Sequence, residues 1–246
     1  MDHVYSSVFY DYIDAGSRAS ARAVAQMLLG EMRIDSLLDV GAGHGAWAAE
    51  WMAAGVADVT AVDGEYVARD RLAIPTERFL PHDLSEPLVL NRRFDLVQSL
   101  EVAEHLPADK AEVFVDSLTR HGDVILFSAA VPHQGGEHHV NEQPLGYWRA
   151  KFAAHGYAPY DCLRPRLAAD LAVKPWYRFN SLIYADHLGA ARLSPAIQAT
   201  MVPEGTSLDV SGDIRWRMRR AVVRLIPSPW VKPIAKTKAT VRARWR

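Results

Sequence analysis

Short apolar runs alternate with helical patterns along most of the chain. Residues 17–32 place Ala23, Met27 and Leu28 on one face at helical spacing, which predicts an amphipathic helix. The preceding VYSSVFYDYI is rich in aromatics and reads as a flap over a pocket, with Tyr5, Phe9, Tyr10 and Tyr12 as its closing groups. SLLDV then gives a first strand running into glycines, and AWAAEWMAAG a helix with Gly55 as its stop. DVTAVD predicts a second strand, residues 65–73 a short helix, RFLPHDL a third strand and FDLVQSL a fourth. Residues 109–120 form a helix, DVILFSAAV a fifth strand, and PLGYWRAKFAAHG a helix ending at glycine. YAPYDCL and NSLIYAD supply two closing strands, the last suited to an antiparallel position. This alternation predicts an α/β fold with a doubly wound, mostly parallel sheet.

Composition fits a globular protein of one ordinary domain with extensions: 246 residues, 49% apolar and 23% charged. The single cysteine, Cys162, excludes an intramolecular disulfide. Neither a signal-peptide pattern nor a run of about 18 apolar residues is present, so a cytoplasmic body is expected. The net charge of −1 hides an asymmetry. Residues 212–246 hold eleven Lys or Arg against one acid, Asp213, which leaves seventeen bases and twenty-eight acids elsewhere. Within this tail Ile214, Met218, Val222 and Leu225 share one stripe, and Arg217, Arg220 and Arg224 another. A basic amphipathic helix of this kind suits peripheral contact with an anionic membrane surface, or packing on the acidic body. Nucleic acid is disfavoured as a partner because no stacking pattern accompanies the charge. Division at 1–34 (helical lid), 35–190 (central domain) and 191–246 (extension with the basic tail) is expected.

The most informative segment is Asp39-Val40-Gly41-Ala42-Gly43-His44-Gly45, set between a strand and a helix. Glycines there permit a tight turn and close approach of backbone to a ligand. The second strand ends in Asp63-Gly64, about 20 residues on, where an acid can grip both ribose hydroxyls. The third ends in His82-Asp83-Leu84, where an acid can accept from an adenine amino group. Asp39 argues against a pyrophosphate and for a cationic amino acid moiety, because a carboxylate attracts the second and repels the first. S-adenosylmethionine (SAM), with an α-ammonium and a sulfonium, therefore fits better than NAD.

Through D-V-G-A-G-H-G, V-D-G, H-D-L and F-D-L-V-Q-S-L-E-V-A-E-H-L, residues 35–130 resemble the class I SAM-dependent methyltransferases. The resemblance implies a Rossmann-like fold whose seven-stranded, mostly parallel sheet has helices on both faces and SAM above its carboxyl edge. It implies Asp39, Gly41 and Gly43 at the amino acid moiety, Asp63 at the ribose, and Asp83 and Leu84 at the adenine. Gly64 and Ser99 complete the expected cofactor-binding set.

After the fourth strand, Glu101, Glu104 and His105 would share a face if a helical turn begins at Glu101. His133, His138 and His139 follow the fifth strand, whose loop should converge on the same edge. The E-x-x-E-H pattern resembles two metal-using branches of the family, the small-RNA 3′-end 2′-O-methyltransferases and the ubiquinone-pathway O-methyltransferases. The first branch completes its site with a later histidine, matched best by His139. A divalent cation (Mg2+, Mn2+, Fe2+ or Zn2+) on Glu101, Glu104, His105 and His139 would lower the pKa of an acceptor hydroxyl. In the metal-free alternative Glu104 and His105 brace a helix, and His139 or His105 is a general base. Glu101, His105 and His139 are the candidate catalytic residues. The long loop GGEHHVNEQPLGYW suits acceptor recognition. The favoured reading is O-methylation of a small-molecule or glycan acceptor. RNA 2′-O-methylation and non-catalytic SAM binding are the alternatives.

Overall fold

The computed structural model describes residues 7–208 and 212–225. Seven strands form one sheet: β1 (Ser36–Val40), β2 (Asp58–Asp63), β3 (Phe79–Pro81), β4 (Leu96–Leu100), β5 (Val124–Ser128), β6 (Ala158–Tyr160) and β7 (Leu182–Ala185). Their spatial order is β3-β2-β1-β4-β5-β7-β6. The first five strands run parallel, and β7 is antiparallel to both β5 and β6. Every residue of β5 and of β7 is buried, as expected of strands covered on both faces.

The helices are α1 (Ser7–Leu29), α2 (Ala46–Ala53), α3 (Ala111–His121), α4 (Leu145–Ala154), α5 (Arg164–Leu167), α6 (Pro175–Asn180), α7 (His187–Arg192), α8 (Pro195–Gln198) and α9 (Ile214–Leu225). On one face of the sheet Ala21, Val24, Ala25 and Leu28 of α1 pack with Trp47 and Trp51 of α2. On the other face Phe114 and Leu118 of α3 pack with Trp148 and Phe152 of α4. There Phe152 stacks on Tyr184 at 4.1 Å and meets Phe127 edge-on at 5.1 Å.

Several expectations change. The aromatic flap continues the first helix: α1 begins at Ser7, and its second half belongs to the core. Tyr5 lies outside the described residues, and for Phe9, Tyr10 and Tyr12 only the helical backbone is described. Residues 65–73 hold a single 3-10 turn, Arg69–Arg71, with none of its residues buried, while Val67 and Leu72 on either side pack on the core. The strand around Leu80 is shorter than expected, and the helix starting at Ser7 is longer.

The charge break at Gly212 is not a boundary of the fold. Trp216 on α9 is buried against Phe179 of α6, with ring centroids 6.0 Å apart. The remainder of the tail, 226–246, lies outside the described residues. Among the described residues no helix is long and apolar enough to cross a membrane. Trp216→Ala should cost about 3 kcal/mol, the ordinary loss for a buried aromatic. Urea unfolding followed by far-UV circular dichroism measures it. A change under about 0.5 kcal/mol, typical of surface positions, would show that α9 is not anchored.

Candidate active site

Because the first five strands are parallel, the segments that follow β1, β2, β4 and β5 emerge at one edge of the sheet. The glycine loop is fixed there from its backbone. Gly41 N and Ala42 N donate to Val62 O of the neighbouring strand at 2.8 and 3.2 Å. Gly41 has φ 87°, and a Cβ there would collide with the Val102 side chain, so two independent constraints demand glycine. Gly43 has φ 54°, and a Cβ there would meet nothing within 4 Å, which leaves open space over the loop.

Asp63 ends β2 with its carboxylate turned to this loop. Oδ2 accepts from Gly43 N at 2.7 Å, and Oδ1 accepts from Gly64 N at 2.7 Å and from the Tyr66 hydroxyl. Burial nevertheless raises its pKa. Asp39 is buried at the end of β1, and its Oδ2 has no hydrogen-bond partner among the described residues. Burial first, with the nearby Asp63 charge adding, pushes the Asp39 carboxyl up to about 7. Ser99 on β4 is fully buried, and its Oγ likewise has no partner among the described residues. Asp83 is exposed and accepts from Ser85 N and Oγ at 3.0 and 2.7 Å, which holds its pKa down; Leu84 beside it is buried.

On the acceptor side the expected helical turn does not begin at Glu101. That residue has φ 57°, and a 3-10 turn covers only Ala103–His105. Glu101 stays close enough to Glu104 and His139 to feel their charges but is not one of the three residues whose ligand atoms converge. Its carboxylate accepts from Gln134 Nε2 and, at 3.3 Å, from Asn180 Nδ2, and Asn180 Nδ2 also lies 2.8 Å from Gln134 Oε1. Burial raises the Glu101 pKa against these hydrogen bonds. Glu104, His105 and His139 do come together, with one ligand atom from each lying within 4.8 Å of the others. The Glu104 backbone oxygen makes this possible by accepting from Val140 N and Asn141 N at 2.9 and 3.0 Å, which stitches the β5 loop onto the turn. Glu104 is fully buried, and no side chain of the described residues donates to its carboxylate. Burial, then the Glu101 charge, raises its pKa well above the usual range. His139 Nδ1 lies 2.8 Å from Glu142 Oε1, and its Nε2 lies 3.9 Å from Glu104 Oε1. His133 and His138 sit in left-handed backbone on the same loop and are not part of this group of three.

The sequence profile of the family described as "Methyltransferase domain" matches residues 6–158. The chain belongs to the class I SAM-dependent methyltransferases. No curated protein matches the sequence at a significant level. Among solved structures, DesVI of Streptomyces venezuelae superposes with a TM-score of 0.56 at 16% identity, over 75% of this chain and 99% of that one. The sugar N-methyltransferase KedS8 of a Streptoalloteichus species gives 0.54 at 17% identity, over 76% and 95%. Magnesium protoporphyrin IX methyltransferase of Synechocystis, with bound S-adenosylhomocysteine (SAH), gives 0.50 at 18% identity, over 76% and 90%. At such identities the likeness establishes the fold.

The methyltransferase's own residues fit the cofactor. Asp39 offers an orphaned carboxylate oxygen to an ammonium, and Gly43 leaves room beside it. Sequence reasoning missed Tyr66, Gln134, Asn180 and Glu142. Glu142 lies in the polar loop already singled out and Gln134 immediately precedes it, whereas Asn180, just before β7, carries no local signal at all.

The elevated Asp39 carboxyl makes a testable statement about pH. A buried acid whose folded pKa exceeds its unfolded value favours folding while protonated, and that contribution is lost as pH rises from about 4 to about 7. Asp39→Asn should therefore stabilise the ligand-free enzyme at about pH 8, by up to about 4 kcal/mol from linkage arithmetic, and far less at about pH 5. The affinity of the parent for SAH should rise with pH through about 7, and the variant should lose both the slope and most of the affinity. Thermal melts and calorimetry at the two pH values check this. Equal melting shifts at both would remove Asp39 from its assigned role.

Proposed function

We propose that this methyltransferase methylates a hydroxyl of a small-molecule or glycan acceptor, with a divalent cation held by Glu104, His105 and His139. The observation that carries this reading is the convergence of those three side chains around a fully buried carboxyl group to which no side chain of the described residues donates. Burying a carboxylate is costly unless it is paired or coordinates a metal, and a cation meets that need. One carboxylate with two imidazoles suits Mn2+, Fe2+ or Zn2+ better than Mg2+.

When bound, SAM supplies an electrophilic methyl group on a sulfonium. Asp39, Gly41 and Gly43 hold its amino acid part, Asp63 with Gly64 its ribose, Asp83 and Leu84 its adenine, and Ser99 lines the floor. The cation would supply Lewis acidity that lowers the acceptor's pKa. Glu142 fixes the His139 ring: with Nδ1 donating to the carboxylate, Nε2 keeps its lone pair for the cation. Glu101 takes a different role from Glu104. Gln134 and Asn180 hold it as a fixed, half-buried acceptor that orients the substrate hydroxyl.

Manganese titration of the SAH-bound enzyme, followed by calorimetry, should show one site per chain. Glu104→Gln should weaken it by about 10–100-fold or more, and Glu101→Gln should leave it intact while slowing transfer. Turnover against a panel of hydroxylated sugars, phenols, amino sugars and RNA ends should require cation and favour hydroxyl acceptors. Full activity in extensively chelated enzyme would eliminate the cation and leave His139 as a lone base. Methylation confined to amines would eliminate the hydroxyl.

A further inference from the structure

Helix α9 has two faces with different tasks. Trp216 is buried, and Val223, Arg219 and Arg220 lie on the same side, half covered by the body. Arg220 Nε and one of its terminal nitrogens donate to Pro132 O at 3.2 and 3.1 Å, and Arg219 donates to Gly135 O at 3.3 Å. Asp213 Oδ1 accepts from Trp216 N at 2.7 Å and so closes the helix's first turn. The helix is thus tied to the loop that carries His139.

The opposite face is apolar and open. Ile214, Met218, Val222 and Leu225 follow one another at helical spacing and are 65%, 61%, 58% and 83% exposed. Arg215 borders this stripe on one side, and Arg217 and Arg224 on the other, all exposed. Scattered apolar residues on a surface mean little, but a continuous stripe marks a contact. From Ile226 to Arg246 the chain adds six more bases and no acid.

We infer that α9 seats the enzyme on an anionic lipid surface, its apolar stripe entering the acyl boundary while Arg215, Arg217 and Arg224 meet the headgroups. The combination decides the occupant. A nucleic acid would use the charge and leave the stripe in water. A second copy of the same helix would bring like charges together along both rims. A bilayer with acidic headgroups satisfies stripe and rims at once. Seating α9 in this way also brings the acceptor loop at Pro132–Gly136 towards the bilayer, because that loop is what α9 grips.

Flotation of the full chain with phosphatidylcholine vesicles, with and without phosphatidylglycerol, tests this without reference to the acceptor. Binding should require phosphatidylglycerol and weaken with salt. The Met218→Glu/Val222→Glu double variant alters only exposed positions. It should lose about tenfold or more in vesicle affinity while keeping the parent's melting temperature and SAH affinity. The inference is overturned by no flotation, by equal flotation on both vesicle types, or by a variant that binds like the parent. It is equally overturned if lipid-free chain forms a concentration-dependent dimer that the double variant disperses, since the stripe would then belong to a second copy.

Discussion

Three donors converge on the Asp63 carboxylate: the backbone N–H groups of Gly43 and Gly64 and the hydroxyl of Tyr66. The first of these ties the loop after β1 to the end of β2, across neighbouring strands of the sheet. Without that tie the glycine loop would keep its backbone bonds to Val62 but lose the direction of its central N–H groups. A carboxylate in this position needs a parallel β1–β2 pair in fixed register, and the apolar runs of both strands supply it. The open space over Gly43 and the orphaned oxygen of Asp39 depend on this arrangement, and the cofactor-binding reading depends on them in turn.

The opposite half of the site is organised around the cost of burying acids. Glu101, half-buried, and Glu104, fully buried, sit at the end of β4, and their pKa values are pushed upward first by lost hydration. The chain separates them with a left-handed residue. Glu101 then finds two amide donors, and Glu104 faces two histidines. Non-glycine residues in that backbone region carry a strain of about 1–3 kcal/mol and tend to gather at functional sites. Among the described residues three of the four such positions, Glu101, His133 and His138, border this one.

The strands were legible because each is a short apolar run bounded by glycine or polar residues, and the alternation with helices fixed their parallel order. The antiparallel β7 was legible too, since only it and β6 remained to close the sheet. The first helix was read as starting ten residues too late, because the aromatic VFYDYI lacks the small-residue face of residues 17–32 and suggested a separate flap. Glu101 does not start a helical turn for a backbone reason: it has a left-handed φ, and nothing in E-V-A-E-H announces it. The tail was read as a basic amphipathic helix from its apolar and basic stripes, and neither stripe could show that Trp216 anchors the opposite face. Asn180 reaches Glu101 across 79 positions of chain, a pairing that only the closed sheet creates.

The central claim, that the loop from Asp39 to Gly45 together with Asp63 forms a SAM site and not a dinucleotide site, is tested most directly by calorimetric titration of the full chain with SAH and with NAD. The account predicts one SAH per chain and no heat with NAD. It also predicts a loss of about tenfold or more in SAH affinity for Asp63→Ala, the weight of hydrogen bonds to a charged group. Saturable NAD binding, or an Asp63→Ala enzyme that binds SAH like the parent, would contradict it.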